Sequence, residues 1–323
     1  MDSIEEKRVY GDREGAIEGY VASSIGVVRV RVAGDTVGEF GLCDRCDARD
    51  VAATDDIVAI ATGDDVRVLH LEHGADERDQ STDDSEGSDE AFVSTGFGPA
   101  VAVGFHDGEL IAANPGGDVA TLVLEDVDDS LDTASLTWNT IDRGDLGDVR
   151  AIDGGLIGTE NGVYRLHDGL LDHAGLSDVR DVSAAGVPLA ATADGLYKLG
   201  NGWMEVLEGG FDAVAADPRT ERGQLTRAHA VSCGTVYAYG GADVHDGDDA
   251  YEGDNASAGN DSWHAYDRSS EPVVGLGYGE TVYAVTKRGT FLAGTPETGT
   301  DQWRSQTLGV GDVTGLAILS ASG

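Results

Sequence analysis

Three arginines occupy one position of a repeated stretch: Arg49 in Asp47-Ala-Arg-Asp-Val51, Arg150 in Asp148-Val-Arg-Ala-Ile152 and Arg180 in Asp178-Val-Arg-Asp-Val182. A guanidinium offers a planar fork of donors that matches a carboxylate or a phosphate. Three of them brought together would hold a small anion. The competing use is pairing with acidic neighbours such as Asp47, Asp50, Asp148, Asp178 and Asp181. On the residues alone both uses stay open.

Other chemistry-bearing groups point to plainer roles. Cys43-Asp-Arg-Cys46 is half a zinc site, and His70-Leu-Glu-His73 would be needed to complete it. Read as strands, the two halves fall on opposite faces, roughly 15 Å apart for a strand of about five residues. Free thiols are therefore expected, and Cys233, beside a strand, is expected to pack as a small hydrophobe. Asp243, Asp246, Asp248, Asp249, Glu252 and Asp254 offer oxygens enough for calcium, but not at EF-hand spacing. Such clusters are expected in a chain with 60 acids. His106-Asp107-Gly108 and His167-Asp168-Gly169 read as turn chemistry recurring with a repeat, not as catalytic dyads. No catalytic residue, metal site or cofactor is expected.

The elements that must position these groups are short strands. Asp148–Ile152 leads into Gly155–Leu166, and Asp178–Val182 leads into Val187–Leu199. Each reads as a strand A, a turn, a strand B, a tight polar-Gly turn and a strand C. The same unit recurs at Asp47–Leu69, Pro99–Val123, Asp212–Tyr239 and Pro272–Leu292. In the Asp212 unit only Thr235–Tyr239 is read as a strand after strand A. Gly19–Val30 looks like strands B and C without an A, and Asp312–Leu319 like an A with nothing after it. Joined, the two ends complete a seventh unit and remove the open edges of the array. Trp138, Trp203, Trp263 and Trp303 each fall nine or ten residues before the next strand A, where an outer strand D would run. Phe40 and Phe92 are expected to fill that role elsewhere, packing between units.

The pattern predicts an all-β, seven-bladed β-propeller with four-stranded blades, closed by the C-terminal strand joining the N-terminal blade. Residues 1–323 are expected as a single propeller domain with acidic insertions at 73–90, a C–D loop, and at 242–262, interrupting the B–C region. Strand A borders the central channel. Arg49, Arg150 and Arg180 are therefore expected near its mouth, on the face carrying the D–A and B–C loops.

Units such as Leu156-Ile-Gly-Thr-Glu-Asn-Gly-Val-Tyr-Arg165 resemble the repeats of the WD40, YVTN and BNR-like propeller group. With the acidity, the chain is similar to the haloarchaeal β-propeller families. The likeness is one of fold and implies no activity. The Gly-His to Trp-Asp signature of WD40 repeats is missing, and the BNR Asp-box survives only in fragments such as Ser135-Leu-Thr-Trp138.

Net charge is −39, with 21 basic against 60 acidic residues and only Lys7, Lys198 and Lys287 as lysines. Self-repulsion of this size suits molar salt, where the Debye length falls to ~3 Å. Such a surface repels nucleic acid. No signal peptide, no bilayer-long apolar run and three cysteines point to a cytoplasmic, reducing setting, with no membrane partner. The expected function is a protein-interaction scaffold, a monomer whose partner docks on the D–A and B–C face. The alternative is a small anionic ligand-binding or hydrolase-type propeller using the channel mouth. Residues 1–18 have no assigned role.

Overall fold

The computed structural model describes residues 16–71, 91–124, 136–141, 146–240, 263–294 and 303–319. Among them run 28 strands in seven four-stranded sheets, every pairing antiparallel. Blade 1 holds β1 (Ile17–Ser23), β2 (Gly26–Ala33) and β3 (Thr36–Asp44). Blade 2 holds β4 (Ala48–Ala53), β5 (Ile57–Thr62), β6 (Val66–His70) and β7 (Val93–Ser94). Blade 3 holds β8 (Ala102–His106), β9 (Glu109–Ala113), β10 (Val119–Val123) and β11 (Asn139–Thr140). Blade 4 holds β12 (Val149–Asp153), β13 (Leu156–Thr159), β14 (Gly162–His167) and β15 (Leu170–Gly175). Blade 5 holds β16 (Val179–Ser183), β17 (Leu189–Thr192), β18 (Gly195–Leu199) and β19 (Trp203–Glu208). Blade 6 holds β20 (Ala213–Ala216), β21 (Ala228–Ser232), β22 (Thr235–Tyr239) and β23 (Trp263–Arg268). Blade 7 holds β24 (Val273–Tyr278), β25 (Val282–Thr286), β26 (Thr290–Gly294) and β27 (Trp303–Thr307).

The last strand, β28 (Val313–Ile318), pairs with β1 and completes blade 1, so the two chain ends close the ring as the repeat count requires. Neighbouring inner strands touch one another all the way round, β28 meeting both β4 and β24. Alternation of direction puts the A–B and C–D connections on one face, called lower here. The B–C and D–A connections lie on the other, upper face.

Two sequence expectations shift. Strand A of blade 3 starts at Ala102, not Pro99, because proline has no N–H for a ladder. In blade 6, Thr235–Tyr239 is the third strand, because the small-residue run Ala228–Ser232 is the second. The segment containing 242–262 therefore joins strands C and D, not B and C. Both acidic insertions, residues 1–15 and the candidate calcium residues lie outside the described residues.

The B–C turns share one device. The last residue of strand B is a buried threonine in four blades: Thr62, Thr159, Thr192 and Thr286. The Thr159 hydroxyl accepts from Asn161 N at 3.1 Å and Gly162 N at 3.1 Å, and donates to Gly162 O at 3.0 Å. Thr62 and Thr192 make the corresponding bonds. A side chain thus replaces the backbone partners that a tight turn cannot supply. Asp107-Gly108, Asp168-Gly169 and Cys233-Gly234 form turns with positive φ at both positions. The first two account for the His-Asp-Gly repeats.

The core is a set of seams between blades. Trp138, Trp203, Trp263 and Trp303 each pack against the seam with the preceding blade. Trp203 Nε1 donates to Ala174 O of blade 4 at 3.0 Å. Phe92 packs in the seam of blades 1 and 2. Phe40 does not: it is 41% exposed on β3. Inner strands are cross-stitched by carboxylates. Asp50 accepts from Val103 N at 3.0 Å, Asp181 from Val214 N at 2.8 Å and Asp153 from Ala184 N at 2.7 Å, each in the next blade. Each bond gives a partner to an N–H on the inner edge of a sheet that no further strand covers.

Candidate functional site

A cavity of about 480 Å³ lies on the ring axis, walled by the inner strands. Arg150 and Arg180 line it together with Asp50, Asp153 and Asp181. Arg49 is not among its lining residues.

A β-bulge sets the direction of all three arginines. In blade 2 Ala48 pairs with Thr62 and Asp50 with Ala61, which leaves Arg49 as the extra residue. Arg150 and Arg180 are extra in the same way. A bulge re-aims its side chain and locally frees the ladder. All three stand at the upper end of strand A, and all three meet a carboxylate. The Arg150 Nη1 donates to Asp178, with a second bond to Val179 O at 3.2 Å. Arg180 Nη1 donates to Asp212 Oδ1 at 2.6 Å. Both partners open the next blade's inner strand. Arg49 turns back instead to Asp47 of its own blade, at 3.5 Å. The cause is in the next blade: where blade 6 has Asp212, whose N–H bonds Val231 O just before Ala213, blade 3 has Val101, whose N–H bonds Ala113 O just before Ala102 and whose side chain is no acceptor.

Charge follows position. The hydrogen bond from Arg150 holds the exposed Asp178 carboxyl below the usual range. Deeper in the channel, burial pushes Asp50 and Asp181 up to about 7, against the pull of their backbone N–H donors. Burial also raises Asp153. The upper end of the channel is thus an ion-paired rim, and its waist carries acids poised to ionise near neutrality.

The thiols are placed differently. Cys43 ends in β3 and Cys46 in the D–A connection, both against the seam of blades 1 and 2. Burial pushes the Cys43 thiol up to about 11 and the Cys46 thiol up to about 12, which disfavours the thiolate needed for nucleophilic or metal chemistry. His70 ends β6 at the lower edge, and His73 lies outside the described residues. Cys233 is exposed in its B–C turn, not packed, because φ of +49° makes it a turn residue. Among the described residues no group of three or more His, Cys, Asp or Glu side chains could hold a metal ion. No helix there is long and apolar enough to cross a membrane.

Sequence reasoning missed Arg227, His229 and Tyr278. They meet in the wall between the axial channel, which Tyr278 lines, and a second cavity on the lower face, which the other two line. The one available signal was a histidine inside the small-residue run Ala228-His-Ala-Val-Ser232.

Residues 3–319 match the family model described as Beta-prop_HVO_0234-like, beta propeller. No curated protein matches the chain. Among solved structures it is similar to the WD40 β-propeller domain of Doa1, with TM-score 0.55 and 16% identity over 84% of this chain and 86% of that one. The Neurospora crassa Pan2 WD40 domain gives TM-score 0.53 and 10% identity over 84% and 82%. The computationally designed Ika8 protein gives 0.52 and 13% over 94% and 90%. At these identities the likeness is one of fold.

Proposed function

We propose that this chain, which belongs to the HVO_0234-like β-propeller family, is a protein-interaction scaffold whose partner docks on the upper face, at the edge of blade 1. One observation carries this reading. Of the six exposed large apolar side chains among the described residues, three belong to blade 1: Ile25 at 51%, Phe40 at 41% and Leu42 at 37%. Ile25 occupies the B–C turn, a Cβ on the adjoining Gly26 would stand 2.9 Å from Leu42 Cδ1, and Phe40 lies two residues from Leu42 along β3, so the turn and this stretch of β3 adjoin. Clustered apolar exposure on an otherwise charged surface marks docking sites. The WD40-type frame supports the reading, since its cross-stitched inner strands hold the connecting loops in fixed places.

The test is affinity capture at molar KCl with the full chain and with Ile25→Asp and Leu42→Asp. The expected result is a stoichiometric partner retained by the unaltered chain and lost by both variants. Capture of none, or capture indifferent to both variants, sinks the proposal. In this reading the ring is one domain with acidic insertions at 73–90 and 242–262, acting as a cytoplasmic monomer in a salt-rich cell. Its surface charge keeps it hydrated there and away from nucleic acid.

A second reading rests on the channel mouth. Arg150 and Arg180 both border the axial cavity, and with Arg49 they would hold a small anion such as phosphate or citrate by exchanging their aspartate partners. Titration with citrate and with Arg150→Gln/Arg180→Gln tests it. Equal binding by the double variant removes the idea.

A further inference from the structure

The lower-face cavity measures about 550 Å³ and is lined by blades 6 and 7 and by Gly34 and Asp35 of blade 1. Arg227, His229, Tyr239, His264, Tyr266 and Glu280 are among its lining residues. It is separate from the upper-face surface, so it stands or falls independently of the scaffold reading.

Arg227 is a cation with its donors unspent. Its nearest acid, Asp217, is taken by Arg219, whose Nε and Nη2 donate to the two carboxylate oxygens at 2.9 and 2.7 Å. The Arg219 backbone N–H adds a third bond at 3.1 Å. Arg227 Nη1 stands 3.6 Å from that carboxylate, an ion pair too long for a hydrogen bond. Its guanidinium lies over the Tyr278 ring, 5.2 Å from the centroid, which holds the plane in place. Among the described residues no hydrogen bond takes up its N–H groups.

His229 is the complement. It is 4% exposed, and its Nδ1 lies 2.6 Å from the Tyr278 hydroxyl. That hydroxyl also donates to Ala215 O at 3.2 Å. A hydroxyl has one proton and a carbonyl can only accept, so Nδ1 carries the hydrogen and donates to the tyrosine oxygen. The other ring nitrogen, Nε2, is left with a bare lone pair and no hydrogen-bond partner among the described residues. Burial, reinforced by the Arg227 charge, pushes the ring down to about 3, so it stays neutral at any physiological pH. Tyr266 meets it edge-on at 5.2 Å and closes one side.

Arg227 and His229 are two residues apart on an extended stretch and both face the cavity. Their backbones are about 7 Å apart at strand rise. A charged donor fork and an acceptor on one cavity wall, from neighbouring positions of one stretch, can meet adjoining groups of a small molecule. We propose that this cavity binds a small α-hydroxy or α-amino carboxylate, with the Arg227 guanidinium holding the carboxylate and His229 Nε2 accepting from the adjoining O–H or N–H. A carboxylate without the donor satisfies only Arg227. A donor without the carboxylate satisfies only His229.

The full chain in molar KCl is titrated calorimetrically with glycolate, lactate, glycine and serine, with acetate and propionate as counterparts lacking the donor. At least one of the four is expected to bind one-to-one and at least about tenfold tighter than its counterpart. Arg227→Gln is expected to weaken that binding at least about tenfold. Because a His229 variant risks misfolding, ¹⁵N chemical shifts of the imidazole in the unaltered chain provide the second measurement. They should show Nδ1 protonated and Nε2 bare, with Nε2 moving on ligand addition. The proposal is overturned if none of the four acids binds saturably, if Arg227→Gln binds as tightly, or if Nε2 proves to carry the proton.

Discussion

Removing residues 312–323 takes away β28 and with it the closure of the ring. The strand lies between β1 on one side and the inner strands of blades 2 and 7 on the others. Val313 is 2% exposed and Ala317 9%, while Leu316 and Ile318 pack against the seam of blades 7 and 1. Full burial of an aliphatic side chain contributes ~1.5–3 kcal/mol, so Val313 with partial shares from Leu316 and Ile318 contributes about 5 kcal/mol. Deletion also strips the ladder partners of Gly19–Ser23 and bares Ile17 and Val21. A typical net stability is ~5–15 kcal/mol, so the truncated chain should be mostly unfolded or lose most of its denaturant resistance. Tryptophan fluorescence against urea in molar KCl reads this directly, since Trp203, Trp263 and Trp303 open outer strands and Trp138 immediately precedes one. The graded variant Leu316→Ala should shift the midpoint in the same direction by a smaller step. A truncated chain that unfolds cooperatively at the original midpoint refutes the pairing of the chain ends.

Thr159→Val preserves shape but removes the acceptor for two turn N–H groups, that of Gly162 buried and that of Asn161 partly so; a loss of ~1–3 kcal/mol is expected from urea unfolding. Asp50 and Asp181 have folded values near 7 against an ordinary 3.8, so the native state binds more protons between these limits. Their contribution is therefore full below about pH 4 and lost as pH rises through about 7, and Asp50→Asn/Asp181→Asn should flatten that fall relative to the unaltered chain. Arg150→Gln removes the donor that holds Asp178 low, so carbon-detected titration should show its carboxyl rising toward the ordinary range.

The repeats made the ring legible because its period is carried by local chemistry. Polar-Gly turns, alternating apolar runs and outer-strand tryptophans recur whatever the blade's contacts. Where a blade departs from that chemistry, reading fails. Blade 6 hid its second strand in Ala228–Ser232, where Val231 is the one β-branched residue, and this misplaced the connection containing 242–262. Phe40 carried the expected residue type but faces water, because an aromatic alone does not say which side of a nine-residue edge strand it takes. Arg227 and His229 could not be read as a pair. Their meaning depends on Tyr278, about 50 residues away in the next blade, which fixes one side chain by its ring face and the other by its hydroxyl.

The aligned arginines show how one repeat position divides its work. The bulge is a property of the blade, so Arg49, Arg150 and Arg180 share it. The partner is a property of the following blade, so two of them bridge blades and the third, which finds Val101 in place of an aspartate, turns to its own blade. One residue later, Asp50 and Asp181 reach into the channel and bind the next inner strand by its N–H. Arg180 and Asp181 thus tie blades 5 and 6 twice, once at the rim and once at the waist, blade 4 does so with Arg150 and Asp153, and blade 2 with Asp50 at the waist alone. That double tie gives these residues a structural reason to recur without any ligand. Arg227 is tied by less: it stands 3.6 Å from a carboxylate already bound by Arg219 and over the Tyr278 ring, it lines a cavity with no hydrogen bond from its guanidinium among the described residues, and His229 lines the same cavity. A cation used for architecture is found with its hydrogen-bond donors spent, as in Arg150 and Arg180, and by that criterion the lower-face pair is what the fold leaves available for chemistry.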